Sequence, residues 1–242
     1  MAILKRARKR FFLLFLLLFG CGKEEVKKEN IIFAYCLLNP RFQNQVVIVD
    51  SLYSFQEEVK DTAGISGAKV FIFEVESGET IAFKEREKGV YQDTMDKNWV
   101  KPLFTYELFV AFRSDTLRGR TKIPDTFKIV FPKNFDTIPF SEVGSVIWRR
   151  SNGRKVYFLA VIHPDTLKPL IPIVTEDTTV DLSSFRNFYF DTTANYVIKV
   201  CAWDENRYRY LVMKNYEPDT LGEGLGHFAS QTEDTVVVHI RH

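Results

Sequence analysis

The stretch Lys69-Val70-Phe71-Ile72-Phe73 carries apolar side chains on both of its alternating faces. Successive side chains of a β-strand point to opposite sides of the sheet, so a strand that is apolar on both sides is typical of the centre of a packed sheet. Gly64 and Gly67 flank the entry to this stretch, as turn residues do. We therefore expect a central strand here.

Runs of the same kind recur along the chain after residue 30. They are rich in Val, Ile, Phe, Tyr and Thr, they alternate with a period of two, and turn residues separate them. The dipeptide Asp-Thr occurs ten times, and it suits a turn closed by Asp followed by a strand that begins with β-branched Thr. The sequence predicts an all-β protein. The strands expected in its first half are at 32–38, 45–52, 68–73, 79–84, 106–112 and 116–123.

A secretory leader precedes the β region. Five basic residues lie between positions 5 and 10, and an unbroken apolar run covers 11–19. Nine helical residues at about 1.5 Å each cover about half of a ~30 Å hydrocarbon core, which is too short for a permanent span. We therefore expect residues 1–20 to be a cleaved signal peptide.

The end of this leader, Leu18-Phe19-Gly20-Cys21, resembles the lipobox of bacterial lipoproteins. The resemblance implies cleavage between Gly20 and Cys21 and lipidation of Cys21, so the chain would contact a membrane through its N-terminal diacylglycerol and acyl chains. The alternative is an ordinary apolar leader that contains an incidental cysteine.

The residues after Cys21 indicate in which membrane the protein would be anchored. Gly22, in place of Asp, implies by the same resemblance an outer-membrane lipoprotein. Lys23-Glu24-Glu25 resembles an export signal of surface-displayed lipoproteins, although a solvated, flexible tether over 21–30 is the favoured interpretation. We expect a lipid-anchored protein of the outer membrane, on its periplasmic or cell-surface face.

The charge of the chain argues against nucleic-acid binding. The sequence has 33 Lys and Arg against 31 Asp and Glu, and the leader contains five of the basic residues and none of the acidic ones. The mature chain would therefore have 28 basic and 31 acidic residues. We expect no nucleic-acid partner.

Two cysteines remain after Cys21. Cys36 and Cys201 lie in apolar, strand-like runs. A disulfide could form in an oxidising compartment, but two buried free thiols are the favoured interpretation.

Three prolines, Pro124, Pro132 and Pro139, interrupt the chain between its two halves. We therefore expect an N-terminal β-sandwich over 31–124, a proline-rich linker over 125–140, of which 127–131 could join a sheet, and a C-terminal β-sandwich over 141–242.

Both halves resemble known sandwich modules. The pattern Gly67-Ala68-x-Val70, then Gly89-x-Tyr91, then Tyr106-x-Leu108-x-Val110 resembles carboxypeptidase-regulatory-like modules. Residues 145–148, 157–161 and 196–202 are similar to three strands of a fibronectin type III domain, in which the tyrosine at the position of Tyr196 packs near the sheet corner. The resemblance implies two Ig-like or fibronectin-like sandwiches. The second departs from the fibronectin pattern, because we expect one more strand at 235–240.

Along nearly the whole mature chain the order of motifs resembles a family of uncharacterised Gram-negative outer-membrane lipoproteins, often encoded beside TonB-dependent receptors. The resemblance implies an outer-membrane protein partner and provides no catalytic residues. His227 and Ala229 depart from the family pattern. The motifs are Tyr35-x-Leu37-Leu38-Asn39-Pro40, Gly67-Ala68-x-Val70, Thr121-x-Ile123-Pro124, Ala202-x-Asp204-x-Asn206 and Gly224-x-Gly226-x-Phe228-x-Ser230.

Few residues suggest a catalytic, metal-binding or ligand-binding site. The four histidines have no metal-ligand spacing, and we expect neither a metal nor a cofactor. The glycines of 222–226 are interpreted as hairpin residues in preference to a phosphate loop. Asp204-Glu205-Asn206 could bind calcium through its oxygen atoms, but a solvated turn is favoured. If 207–210 form a strand, Arg207 and Arg209 share one face and the two tyrosines share the other, and ordinary packing with the tyrosines inward is favoured. The alternative is a binding surface made by the two arginines with Asp204 and Asn206.

These observations favour a non-catalytic membrane-anchored lipoprotein, a binding or accessory component of an outer-membrane assembly or transporter. One alternative is a secreted hydrolase or carbohydrate-binding subunit whose acids meet only in three dimensions. Another is a structural or adhesion protein of the envelope.

Overall fold

Two large hydrophobic cores organise the folded chain. The computed structural model describes residues 31–52, 64–95, 98–163, 172–212, 219–221 and 224–242. The first core takes its buried side chains from residues 32–123 and from Phe228, and the second takes them from residues 127–240. The predicted all-β class, built from β-sandwiches, is confirmed.

The first core is enclosed by one continuous path of strands, in which part of the last strand of the chain, β16, lies beside β1. The order along this path is β16-β1-β2-β5-β4-β3-β6-β7. The strands are β1 (Ile31–Leu38), β2 (Val46–Leu52), β3 (Lys69–Glu74), β4 (Thr80–Glu87), β5 (Val90–Asp93), β6 (Thr105–Phe112), β7 (Asp115–Lys122) and β16 (Gly224–Arg241).

Strand β4 connects the two layers of this sandwich. Its first part pairs with β3 and its second part pairs with β5, and the register shifts between Glu85 and Glu87. Such an irregularity bends a strand and increases its twist, which lets one strand take part in both layers. As expected, β3 is central, because it pairs with β4 on one side and with β6 on the other.

Strand β5 is not among the six strands predicted for this half, because four residues are too few for a clear alternation. Directly before β5, the backbone at Gly89 passes close to the backbone at Gly64. Gly89 has a φ of +76°, and a Cβ atom built on it would lie 2.5 Å from the Cα atom of Gly64. Only glycine fits both positions without displacing the backbone.

The second core lies between two sheets. One has the order β12-β11-β14-β16 and the other has the order β13-β10-β8. The strands predicted at 145–148, 157–161 and 196–202 are confirmed. The elements of this half are β8 (Ile129–Phe131), β9 (Thr137–Pro139), β10 (Ser145–Trp148), β11 (Val156–Ile162), β12 (Ile173–Thr175), β13 (Thr179–Asp181), helix α1 (Arg186–Tyr189), β14 (Ala194–Trp203), helix α2 (Glu205–Val212) and β15 (Asp219–Leu221), with short 3-10 helices at Phe140–Glu142 and Ser183–Phe185.

Tyr196 lies at the corner of the second sandwich, as predicted. Its hydroxyl donates a hydrogen bond to Thr192 O at 3.1 Å, and Thr192 N donates to the same hydroxyl at 3.1 Å. The hydroxyl oxygen is also 3.0 Å from Asp191 Oδ1. This side chain therefore holds the loop before β14 against the sheet.

Strand β16 serves both cores. Residues 225–230 pair in parallel with β1, and residues 231–240 pair antiparallel with β14. Phe228 lies in the first core, whereas Val236 and Val238 lie in the second. The expected final strand at 235–240 is thus the second part of an 18-residue strand.

The proline-rich segment packs with the second sandwich. Phe127 is buried in the second core, and β8 pairs with β10. The suggestion that 127–131 could join a sheet is confirmed for the residues of β8. The predicted domain boundaries stay predictions.

Candidate functional site

The predicted cleavage and lipidation site, Gly20 and Cys21, lies outside the described residues and stays a prediction. In the described ranges, no helix combines the length and the apolarity that crossing a membrane requires.

The candidate surface around Asp204, Asn206, Arg207 and Arg209 forms a helix. The expectation of a strand over 207–210 is wrong, since Glu205–Val212 is helix α2. Asp204 precedes the helix, and its Oδ1 atom accepts a hydrogen bond from Arg207 N at 2.8 Å. This capping contact satisfies a backbone donor of the first turn and favours helix over strand.

Asp204 is buried, so the expected solvated turn is also wrong. Its Oδ2 atom accepts a hydrogen bond from the hydroxyl of Thr121 on β7. Thr121 Oγ1 lies 3.0 Å from Ser230 Oγ, and the Ser230 hydroxyl donates to Lys122 O at 2.9 Å. Burial raises the pKa of Asp204 to about 6, because the hydrogen bonds around it only partly offset the loss of hydration.

Asn206 links three elements. Its Nδ2 atom donates to Arg120 O and to Phe228 O, each at 2.8 Å. These two carbonyls belong to β7 and β16, so the amide holds α2 over the line where these strands approach each other. The contact is structural, and Asn206 therefore supports the position of α2.

Arg207 faces an aromatic cluster. Its Nη1 atom donates to Tyr35 OH at 2.9 Å. Tyr210 lies one helical turn further on and stacks on His227, with ring centroids 4.1 Å apart, and the Tyr35 ring is 5.4 Å from His227. Arg209, the other predicted arginine, lies in the last turn of α2 and is half-buried.

His227 is neutral in this cluster. The side chain is buried, and burial, together with the positive charge of Arg207, lowers its pKa to about 3. An imidazole of such low basicity does not carry a proton at neutral pH and cannot act there as a general acid. Its role in the described structure is packing between Tyr35 and Tyr210.

A second polar network lies further along β16. Asp234 Oδ1 lies 2.7 Å from Arg41 Nη2 and 3.3 Å from Lys128 Nζ, and Asp234 Oδ2 accepts from Ile129 N at 2.9 Å. Glu233 Oε2 lies 2.8 Å from Lys199 Nζ. Arg41 follows β1 and Lys128 precedes β8, so this network joins the two sandwiches.

Sequence reasoning missed this network because Asp234 was interpreted, with every Asp-Thr pair, as a turn residue. The residue lies in the middle of β16 and is buried. The local sequence gives no clear signal of burial, since Ser230, Gln231 and Thr232, which precede Glu233 and Asp234, are polar as well. A buried acid that needs cationic partners is the physical alternative.

The two remaining cysteines are buried free thiols, as favoured by the sequence. Burial raises the pKa of Cys201 to about 12 and also raises the pKa of Cys36. The thiolate is the reactive form, so these side chains behave as small apolar residues.

The expected hairpin near residue 222 is present. Strand β15 pairs antiparallel with the start of β16, with Leu221 opposite Gly224. Its two connecting residues, Gly222 and Glu223, lie outside the described residues. Gly224 and Gly226 are residues of β16.

One apolar groove opens between the sheets of the second sandwich. Its empty volume is about 270 Å³. Its lining includes Phe131, Pro132, Ile138, Leu182 and Phe190. In the described ranges, no three His, Cys, Asp or Glu side chains are grouped so that they could hold a metal ion.

Comparisons with known proteins give distant structural similarities. No protein-family model matches the chain, and no curated protein matches it. The fibronectin(III)-like modules of Clostridium thermocellum CbhA are 11% identical, with 90% of this chain and 92% of that chain covered and a TM-score of 0.28. The FN1–FN3 domains of chicken CNTN1 are 13% identical, with 88% and 63% covered and a TM-score of 0.25.

A SusE-like surface-located polysaccharide-binding protein from Bacteroides thetaiotaomicron is 9% identical, with 88% of this chain and 34% of that chain covered and a TM-score of 0.29. At these TM-scores the similarities carry no argument about what this chain does. The sandwich architecture follows from its own strand pairing and cores.

Proposed function

We propose that this chain is a lipid-anchored envelope protein that acts by binding, as a non-catalytic accessory component of an outer-membrane assembly or transporter. The observation that carries the proposal is the stretch Leu18-Phe19-Gly20-Cys21 after a basic and then an apolar segment. A chain acylated at Cys21 would stay on a bilayer without a transmembrane helix.

The folded body supports a binding role. Its buried carboxylates take part in internal contacts: Glu74 accepts from Lys101 and Tyr106, Asp204 accepts from Thr121, and Asp234 accepts from Arg41. The buried imidazole of His227 is neutral and packed. These buried side chains therefore hold the fold, and in our proposal the protein presents the outer faces of its sheets to a partner.

Labelled palmitate and crosslinking in native membranes test this proposal together. We expect the wild type to incorporate palmitate and to crosslink reproducibly to one outer-membrane protein, and Cys21→Ser to do neither. Cys201→Ala is the matched control, because it also removes one thiol but leaves Cys21 in place. An unlabelled wild type, a labelled Cys21→Ser, or recovery of random neighbours only would contradict the proposal.

A further inference from the structure

The outer face of the first sandwich formed by β4, β3, β6 and β7 carries an unusual set of side chains, and we call it the cationic face. These side chains alternate with the buried ones, so they point away from the core. Glu107 is the one acidic residue with this orientation on β3, β6, β7 and residues 80–84 of β4, the part that precedes the register shift. The basic members are Lys69, Lys84, Arg118, Arg120 and Lys122, and the aromatic members are Phe71, Phe73 and Phe109.

The cations follow a regular line along β7. Arg118, Arg120 and Lys122 are all exposed and occupy alternate positions of one strand. Alternate side chains of a strand are roughly 7 Å apart, so three positive charges repeat at this spacing along a line. Arg120 Nη1 lies 3.6 Å from Glu107 Oε1, a weak contact between two partly exposed groups.

A flat aromatic strip lies beside this line. Phe71 and Phe109 are directly opposite each other on β3 and β6, with ring centroids 4.9 Å apart and planes within 12°. The guanidinium of Arg118 lies 5.2 Å from the centroid of the Phe109 ring. Phe71, Phe73 and Phe109 are half-buried, so they form a floor between the charges and do not project from the surface.

The face is opposite in charge to the rest of the mature chain. That chain would have 28 basic and 31 acidic residues, of which five basic and one acidic lie on the cationic face. The remainder therefore has 23 basic and 30 acidic residues. A net negative body with one positive face attracts an anion to that face in preference to any other.

We propose that the cationic face binds an acidic polysaccharide, a chain of sugar rings that bear carboxylate or sulfate groups. The inference deepens the binding role proposed above and rests on it. Repeated charges along β7 match the repeated charges of an extended polymer, and the phenylalanine floor offers the C–H faces of sugar rings an apolar contact. An anionic bilayer is less favoured, because half-buried rings on a flat sheet cannot insert between headgroups.

Binding to chondroitin sulfate, measured by calorimetry with the full-length protein purified from membranes in neutral detergent, tests the inference. We expect saturable binding that weakens by about tenfold between 50 and 200 mM salt. The double variant Arg118→Gln/Arg120→Gln should lose at least about tenfold in affinity. Neutral dextran should not bind.

The matched control is Arg149→Gln/Arg150→Gln, which removes the same charge from two exposed arginines of the second sandwich and should stay within about twofold of wild type. If the β7 double variant unfolds, Lys69→Gln/Lys84→Gln on the same face replaces it, with an expected loss of about fivefold. Thermal unfolding shows whether the β7 double variant is folded.

Four results would overturn the inference: no binding of chondroitin sulfate, unchanged affinity in the cationic-face variants, equal binding of polyglutamate, or binding of phosphatidylglycerol-containing vesicles with no binding of the glycan. Because the assay is performed in detergent and does not depend on Cys21, failure here is distinguishable from failure of lipidation, which palmitate labelling reports.

Discussion

Glu74 in the first sandwich and Asp204 between β7 and β16 are both buried carboxylates, yet their environments have opposite effects. Burial alone would raise the pKa of Glu74, but hydrogen bonds from Lys101, Ser77 and Tyr106 and the charge of Lys101 outweigh it, so that the pKa is lowered. Asp204 has hydrogen-bond donors but no ion-pair partner among the described residues, and burial raises its pKa to about 6. The partner therefore decides whether a buried acid is held charged or neutral.

The surroundings of Asp204 suit both protonation states. When the carboxylate is charged, the Thr121 hydroxyl donates to it. When it is protonated, it can donate to Thr121 Oγ1, and the Thr121 hydroxyl can turn towards Ser230 Oγ at 3.0 Å. At Glu74, in contrast, Oε1 faces Lys101 Nζ at 2.9 Å, which is a donor only and stabilises the charged form.

The largest expected effect is the pH dependence that Asp204 adds to stability. Its pKa is about 6 in the folded chain against an ordinary 3.8, so between these values the folded state binds more protons. The free energy of unfolding should therefore fall as pH rises through 6, by about 3 kcal/mol from this group. Urea unfolding from pH 3 to pH 8 measures this change.

Asp204→Asn is the matched comparison, since an asparagine still caps α2 but does not titrate. We expect the difference in stability between wild type and variant to change by this amount across the range, with the variant at least as stable at pH 8. If the difference in stability between wild type and Asp204→Asn is the same at every pH, the pKa of Asp204 is not raised in the folded chain, and the contrast with Glu74 is wrong.

A smaller loss is expected when Glu74 loses its cation. Lys101→Met leaves a buried carboxylate without its charged partner. The free energy of unfolding should fall by about 2 kcal/mol at pH 7. This is below the usual loss for a buried ion pair, because Lys101 is half exposed. The loss should shrink as the pH falls and Glu74 becomes protonated.

Chemical denaturation at several pH values measures this change. Lys133→Met, at an exposed lysine, should alter stability by less than about 0.5 kcal/mol and serves as the control. An equal loss at pH 3 and pH 7 would show that Lys101 acts by packing and not by charge.

The smallest effect is expected at Thr121. Thr121→Val removes the donor to Asp204 and should cost about 1 kcal/mol at pH 7, where that acceptor is largely charged. The apparent pKa of Asp204 should rise further, because one bond to the charged form is gone. Thr116→Val, on the same strand, is the control, and an unchanged titration midpoint in Thr121→Val would contradict the assigned partner.

Much of the strand pattern was predictable because alternation is a local property. The strands at 145–148 and 196–202 and the corner position of Tyr196 are examples. Helix α2 was not predictable from the same rule, since Arg207-Tyr208-Arg209-Tyr210 alternates charged and aromatic residues as a strand would. The helix depends on Asp204, which is held by Thr121, 83 positions earlier in the sequence.

The contacts of the residues predicted to form a binding surface were not predictable. Asp204 and Asn206 have the polar side chains that a surface turn would have, but their partners are backbone and hydroxyl groups of β7 and β16. The cationic face is distributed over four strands, and no short window contains it. Its alternate basic residues on β7 are visible in the sequence only once the orientation of that strand is known.

By itself, the amino-acid order determined the all-β class, because strand alternation is a local property. It also predicts a leader with a candidate acylation site, and it favours two free inner cysteines. The tertiary structure alone decided which polar side chains lie inside, that one strand serves both cores, and which outward residues share a face. These properties depend on partners that are distant in the chain, and a buried charge is tolerated only where folding brings a suitable partner to it.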